Sequence, residues 1–378
     1  MSPPRTLHIV ESLHRGAVET WLVRMLEHGT RRRVALDWTF YCTEAPPADL
    51  EAKARALGAA VIYSPAPLRR PLAFARALRR ELRRGRYEAI HCHHDLVSGL
   101  YLLATAGLPL KRRVVHIHNA DESVPTRSRL KQRLYRPTLR RLCLGFADRI
   151  AGISDHTLDT FLSGRPRRAG RDRVVFYGVD PRPFERACAA RATFRQALGL
   201  SPAAPLLLFF GRMTPEKNPI FTVDILAALR RPLPETVAVF AGAGGLEGAV
   251  RERAAKLGQA DAVRFLGWRS DAAEVMSACD WFVLPRPHTP MEGFGLAVVE
   301  AQLAGLRLLL SMGVSDAPLL SGACYRRLAL DSGAEAWADA AADLWAAPPP
   351  SRHAALEALK ASPMDMDCAL AGLMELHG

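Results

Sequence analysis

Two glutamates, Glu292 and Glu300, stand eight residues apart across a glycine-rich turn in Pro290-Met-Glu-Gly-Phe-Gly-Leu-Ala-Val-Val-Glu-Ala-Gln-Leu-Ala-Gly305. The turn at 292–295 followed by helix-forming residues from Leu296 to Leu303 predicts a helix start. There the first backbone amides and the positive end of the dipole favour an anion such as phosphate. Glu300 falls about one and a half turns into that helix, near the same mouth. A phosphate cradle with two carboxylates beside it suits a sugar nucleotide, with amides for the diphosphate and carboxylates for ribose and sugar hydroxyls.

Other residues with chemical potential also fall at predicted strand ends. In Phe209-Phe-Gly-Arg-Met-Thr-Pro-Glu-Lys-Asn-Pro219, Gly211 and Arg212 follow a buried strand and Lys217 precedes a helix. Arg in bidentate fashion and Lys as a point charge can clamp a diphosphate; alone they would also pass as surface charges. The glycine turn Ala241-Gly-Ala-Gly-Gly-Leu-Glu247 is a further strand exit, uninformative by itself. Along His91-Cys-His-His-Asp95, strand alternation puts His91 and His93 on one face and Cys92 and His94 on the other. Four ligands therefore do not converge, and no metal site is expected. In His116-Ile-His-Asn119, His118 ends a later strand of the same sheet, where it can hydrogen-bond a sugar or serve as a structural histidine. Asp365-Met-Asp367 resembles a metal–sugar motif by letters alone, since it lies far from any glycine-rich strand exit.

These motifs need a scaffold, and the chain is long enough for two cores. It has 378 residues, 49% hydrophobic and 24% charged, as in an ordinary globular protein. Seven scattered cysteines without a C-x-x-C spacing read as thiols of a reducing compartment. The start lacks a signal-peptide core, and the longest mostly apolar stretch, Leu96 to Leu110, is too short for a bilayer. A cytoplasmic location is expected.

Strand-like segments at 7–10, 35–41, 60–63, 89–92, 114–117, 149–152 and 173–176 alternate with helical ones. After a turn at Tyr177-Gly-Val-Asp180 and a linker at Pro181 to Pro183, the pattern restarts, with strands at 205–210, 237–241, 263–266, 281–284 and 307–310. The alternation predicts an α/β protein of two facing doubly wound, Rossmann-like parallel sheets with an interdomain cleft. The expected domains are 1–180 on the acceptor side, 181–347 on the donor side, and a helical segment, 348–378, packing back on the first domain.

Charge is uneven. Residues 1 to 180 carry 32 Lys and Arg against 17 Asp and Glu, and the remainder 19 against 21, so the net +13 belongs to the first half. The clusters at Arg69-Arg70, Arg76 to Arg86, Lys111 to Arg113 and Arg127 to Arg141 suit an anionic lipid surface or another polyanion; solvated helix faces are the plain alternative. Nucleic acid is disfavoured, because aromatic residues do not interleave with the arginines.

Taken together, Phe210-Gly-Arg-Met-Thr-Pro-Glu-Lys217, Val263-Arg-Phe-Leu-Gly267, Ala278-Cys-Asp-Trp-Phe-Val-Leu-Pro285 and Glu292-Gly-Phe-Gly…Glu300-Ala resemble the signature of retaining GT-B glycosyltransferases of family 4. His14-Arg-Gly-Ala-Val-Glu-Thr20, Ala147-Asp-Arg-Ile-Ala-Gly-Ile-Ser154 and Gly178-Val-Asp180 are similar to the N-terminal half of that family. The wording around His118-Asn-Ala and Val299-Glu-Ala is most similar to the capsule and exopolysaccharide branch. The resemblance implies that Arg212 and Lys217 bind the donor diphosphate, supported by Gly211 and the amides of Phe294, Gly295 and Leu296. It further implies that Glu300 holds the ribose, that Glu292 and His118 meet the sugar, and that the loop Arg15-Gly16-Ala17 approaches the phosphates. Neither metal nor cofactor is implied, the co-substrate being a nucleotide sugar and the acceptor a glycan or lipid-linked molecule, reached from the inner membrane face.

The match has departures: Ala17 replaces the second glycine of the N-terminal loop, Tyr177 replaces the usual Asn, and Ser311 to Pro318 is irregular. A sugar-nucleotide epimerase of the same architecture and a non-catalytic polyanion-binding scaffold are the alternatives.

Overall fold

The computed structural model describes residues 3–14, 16–45, 49–120, 129–187 and 191–378. The chain forms two units, residues 1–178 with 363–378, and 179–362.

The first unit opens with β1 (Thr6–Val10), α1 (Ala17–Arg32), β2 (Trp38–Cys42), α2 (Glu51–Ala56), β3 (Ala60–Tyr63), α3 (Pro71–Gly85) and β4 (Ala89–Cys92). It continues through α4 (Ser98–Ala104), β5 (Arg112–Ile117), α5 (Arg129–Phe146), β6 (Arg149–Gly152), α6 (Asp155–Leu162) and β7 (Asp172–Val174). Its sheet has the order β3-β2-β1-β4-β5-β6-β7, with parallel pairing throughout. β1, β2 and β4 are wholly buried, as central strands covered on both faces must be. At α6, Ser154 Oγ accepts from Thr157 N and Thr157 Oγ1 from Ser154 N, a reciprocal cap that fixes the helix start.

The second unit runs α7 (Arg182–Ala187), α8 (Arg191–Ala197), β8 (Leu206–Phe210), α9 (Pro219–Leu229), β9 (Val237–Ala241), α10 (Glu247–Lys256), β10 (Val263–Gly267) and α11 (Ala272–Ala278). β11 (Trp281–Leu284), α12 (Leu296–Leu303), β12 (Arg307–Ser311), β13 (Tyr325–Leu328), α13 (Gly333–Ala346) and α14 (Arg352–Lys360) complete it. Its six parallel strands have the order β10-β9-β8-β11-β12-β13. Asp280 anchors the helical entry: it accepts from buried Arg195 at 2.7 Å, from Arg191 at 2.5 Å and from Leu206 N at 2.8 Å. Each unit has its own core, one around Leu7, Ile90 and Val115, the other around Leu207, Val283 and Trp337.

The last helix, α15 (Met366–His377), belongs to the first unit and packs on α1, β4 and β5, whereas α14 packs on α12. Asp365 caps α15 by accepting from Asp367 N at 2.8 Å, and Asp367 accepts from Arg32 Nε at 2.8 Å and pairs with His28 at 2.7 Å. The two aspartates thus start and anchor a helix.

Some elements differ from the sequence expectation. Pro181 to Pro183 runs into α7, because proline is tolerated in a first helical turn. β13 carries Tyr-Arg-Arg-Leu and is a half-exposed edge strand without apolar alternation, and α13 is alanine-rich, so neither stood out. α1 continues to Arg32, where Arg33 adopts a left-handed φ of 58°. No helix among the described residues is long and apolar enough to cross a membrane.

Candidate functional site

In the second sheet the strand order reverses between β8 and β11, which pair although α9, β9, α10, β10 and α11 separate them in sequence. Loops leaving two such strands diverge and open a crevice at the carboxyl ends. The β8 exit carries Gly211, Arg212 and Lys217; the β11 exit carries Arg286, Glu292 and the start of α12.

The β8 loop is held from below by glycines. Gly211 N donates to Ala241 O and Met213 N to Ala243 O, each at 2.9 Å. A Cβ on Gly242 would lie 1.9 Å from Gly211 O, and one on Gly244 would lie 2.4 Å from Met213 O. The 241–247 turn, uninformative in sequence, is therefore the platform on which Arg212 stands. Arg212 projects from it with a side chain 75% exposed, its ion-pair contact with Glu216 a loose 3.7 Å. Asn218, at a left-handed φ of 51°, donates Nδ2 to Pro285 O at 3.1 Å and ties the two strand exits together.

Lys217 Nζ lies 2.6 Å from Glu292 Oε2. Arg286 Nη1 reaches the same oxygen at 3.1 Å while its Nε donates to Pro290 O at 2.9 Å. Burial works against ionisation of Glu292, but the charges of Lys217 and Arg286 and the Lys217 hydrogen bond hold its carboxyl below the usual range. Glu292 N donates to Gly313 O at 2.8 Å, so the irregular loop after β12 supports this turn. Gly295 caps α12 with a φ of 84°, a conformation that favours glycine. Phe294 is buried beneath it, Leu296 opens the helix, and Glu300, on the same helix, is 7% exposed. Three cations, Arg212, Lys217 and Arg286, with a helix start and two carboxylates can neutralise a diphosphate and engage hydroxyls. Arg286 was not singled out in the sequence, though its position directly after a buried strand and Pro285 matches that of Arg212 after Gly211.

In the first unit, Gly16 caps α1 and Ala17 is its first residue; a Cβ on Gly16 would fall 2.1 Å from Glu19 Oε2. Burial pushes the Glu19 carboxyl up from its usual range. Arg15 lies outside the described residues.

In the same unit, β1, β4, β5 and the residues directly after β4 and β5 bring five histidines together. The register pairs His8 with His91, and two-residue steps across it bring the rings together diagonally. His8 Nδ1 meets His93 Nε2 at 3.1 Å, His93 Nδ1 meets His118 Nε2 at 2.9 Å, and His118 Nδ1 meets the Tyr177 hydroxyl at 2.7 Å. A parallel row joins His377 of α15 to His91 at 3.0 Å and His91 to His116 at 3.2 Å. Burial drives all six imidazoles below their usual pKa, His116 and His377 to about 3.

The sequence expectation weighed a single strand, whereas convergence comes from three. His8, His91 and His93, and likewise His93, His116 and His118, bring ring nitrogens within 4.8 Å of one another. No carboxylate belongs to either set, and mutual hydrogen bonds account for most of the ring nitrogens. His118 is 5% exposed, both its nitrogens are engaged, and its backbone N donates to Asp95 at 2.6 Å. His94 faces elsewhere, pairing with Tyr101 at 2.6 Å.

The family model Glycosyltransferase Family 4 matches residues 18–182, and Glycosyl transferases group 1 matches residues 190–360. The putative glycosyltransferase EpsF of Bacillus subtilis is 28% identical over 100% of this chain and 97% of its own length. The UDP-Gal:alpha-D-GlcNAc-diphosphoundecaprenol alpha-1,3-galactosyltransferase of Escherichia coli is 26% identical over 61% of this chain and 59% of its own. Among solved structures, HepE of Anabaena in complex with UDP superposes with a TM-score of 0.76 over 98% of both chains, at 18% identity.

Proposed function

The chain belongs to glycosyltransferase family 4 and has the GT-B fold, and from that premise we propose that it moves a sugar, with retention of configuration, from a nucleotide-diphosphate sugar to a glycan or lipid-linked acceptor in surface polysaccharide synthesis. The observation that carries this reading is the charge cluster at the β8–β11 switch point: exposed Arg212, Lys217 on Glu292, and the start of α12.

In this reading Arg212 and Lys217 take the diphosphate, aided by Gly211 and the backbone of Phe294, Gly295 and Leu296. Cations and helix start stabilise the leaving group as negative charge develops, without a divalent cation. Glu300 accepts from the ribose hydroxyls and Glu292 from the donor sugar. The leaving phosphate takes the acceptor proton. Gly16 and Ala17, by their backbone, and His118, by its ring, keep the roles that the family resemblance implies for them. To meet a sugar hydroxyl, His118 must exchange one of its present partners, of which Tyr177 is the one at the family's usual Asn position.

The acceptor reading draws on the relative whose name gives a diphosphoundecaprenol acceptor. It also draws on the surface of α3, α4 and α5. Arg76, Arg80, Arg83 and Arg84 of α3 are exposed, as is Leu72 of the same helix at 72%, while Leu100 and Leu103 of α4 are 42% and 45% exposed and Leu134 of α5 is 60% exposed. Arginines around protruding leucines suit a peripheral contact with anionic lipid. Arg79 and Arg113 serve otherwise, as clamps on the carbonyls of residues 104–110.

The experiment is turnover across uridine- and guanosine-diphosphate sugars, with the product anomer read by proton NMR. A freed nucleoside diphosphate and an anomer matching the donor's support the proposal. An inverted anomer refutes retention, and an epimerised nucleotide sugar refutes transfer.

A further inference from the structure

Lys217 and Arg286 both address one oxygen, Oε2 of Glu292, at 2.6 and 3.1 Å. The cluster sets three cations, Arg212, Lys217 and Arg286, against two carboxylates, Glu216 and Glu292, so one positive charge is left over for an anionic ligand. Lys217 sits on the β8 exit, next to Arg212, on a short turn and an unbranched stem. Arg286 is fixed: its Nε is committed to Pro290 O at 2.9 Å, its carbonyl accepts from Ser311 Oγ at 2.5 Å, and its side chain is only 9% exposed.

We propose that Arg286 is the positioning residue of the donor site, the permanent counter-ion of Glu292 that lets Lys217 leave the carboxylate for the donor diphosphate. This rests on the donor reading above. Without Arg286, moving Lys217 onto a phosphate would strand a buried carboxylate, so Glu292 would retain Lys217 and compete with the ligand. With Arg286, Glu292 stays ionised and held at Oε2 after Lys217 has turned away. The guanidinium suits the task better than an ammonium because one fork binds the backbone carbonyl and the carboxylate together. The same geometry predicts that Arg286 acts through Glu292 and not by touching the nucleotide.

The test is a double-mutant cycle on nucleoside diphosphate binding, with UDP and GDP as probes in titration calorimetry. Arg286→Gln is expected to weaken binding about tenfold in the wild-type background, and less than about twofold when Glu292→Gln has already removed the carboxylate. Arg286→Lys, which keeps the charge but not the fork, is expected to lose about threefold in the wild-type background and nothing measurable beside Glu292→Gln, so it carries the test should Arg286→Gln fail to fold. An equal loss in both backgrounds would make Arg286 a direct ligand contact or a fold element and overturn the proposal, as would no loss in either. A wild type that binds neither probe overturns the donor reading and this inference with it, whereas a binding wild type with uncoupled variants overturns this inference alone.

Discussion

Gly242 and Gly211 touch backbone to backbone: a Cβ at 242 would lie 1.9 Å from the Gly211 carbonyl oxygen. The contact fixes the height at which Arg212 leaves β8, so a residue with no chemistry sets the position of one with a great deal.

Gly242→Ala should therefore act twice. The methyl cannot be housed without moving the 211–213 loop, and the φ of 137° adds strain, for a cost of about 1–3 kcal/mol. Thermal melting should shift down, and nucleoside diphosphate affinity should fall although no ligand-binding side chain has changed. Unaltered affinity would show that the Arg212 loop does not depend on this platform.

The buried histidines make the first unit acid-labile. His8, His91, His93, His116, His118 and His377 have folded pKa values below the unfolded value of 6.5, so the unfolded chain binds protons that the folded one refuses. Their contribution is intact above pH 6.5 and is lost as pH falls, by up to about 1.4 kcal/mol per pH unit for each histidine. All six act in the same direction, against a typical domain's reserve of about 5–15 kcal/mol. Circular dichroism should show acid unfolding with a midpoint above pH 4.5, before most carboxylates titrate. Stability level down to pH 4 would contradict the buried network.

Chelation separates the two ways of neutralising a diphosphate. With Arg212, Lys217 and the α12 start in that role, turnover should be unchanged after exhaustive EDTA treatment. Loss of turnover, restored by magnesium or manganese, would assign the charge to a metal ion instead.

The arginines of α3 and the leucines of α3, α4 and α5 predict membrane recruitment. Sedimentation with vesicles containing phosphatidylglycerol should capture the protein, release it as salt is raised, and capture less of an Arg80→Glu, Arg83→Glu, Arg84→Glu triple variant. Binding indifferent to anionic lipid would leave these residues as solvated helix faces.

Both sheets were legible because their central strands are short apolar runs, such as Leu206 to Phe210, bounded by glycine or proline. The residues proposed for the donor site could be picked out because Arg212, Lys217, Glu292 and Glu300 sit at strand exits or on the following helix. What escaped depended on partners distant in sequence. Gly242 has meaning only against Gly211, Arg286 only against Glu292, and the imidazole face only once β1, β4 and β5 are in register. β13 escaped because an exposed edge strand needs no apolar pattern.

The most direct measurement is donor turnover and nucleoside diphosphate affinity for wild type, Lys217→Ala and Glu300→Ala across uridine- and guanosine-diphosphate sugars. The predicted result is turnover of at least one donor, with affinity about 10- to 100-fold weaker in both variants while each retains cooperative melting. Wild-type affinity in the two variants, or a wild type that neither binds nor turns over any sugar nucleotide, would contradict the proposed donor site.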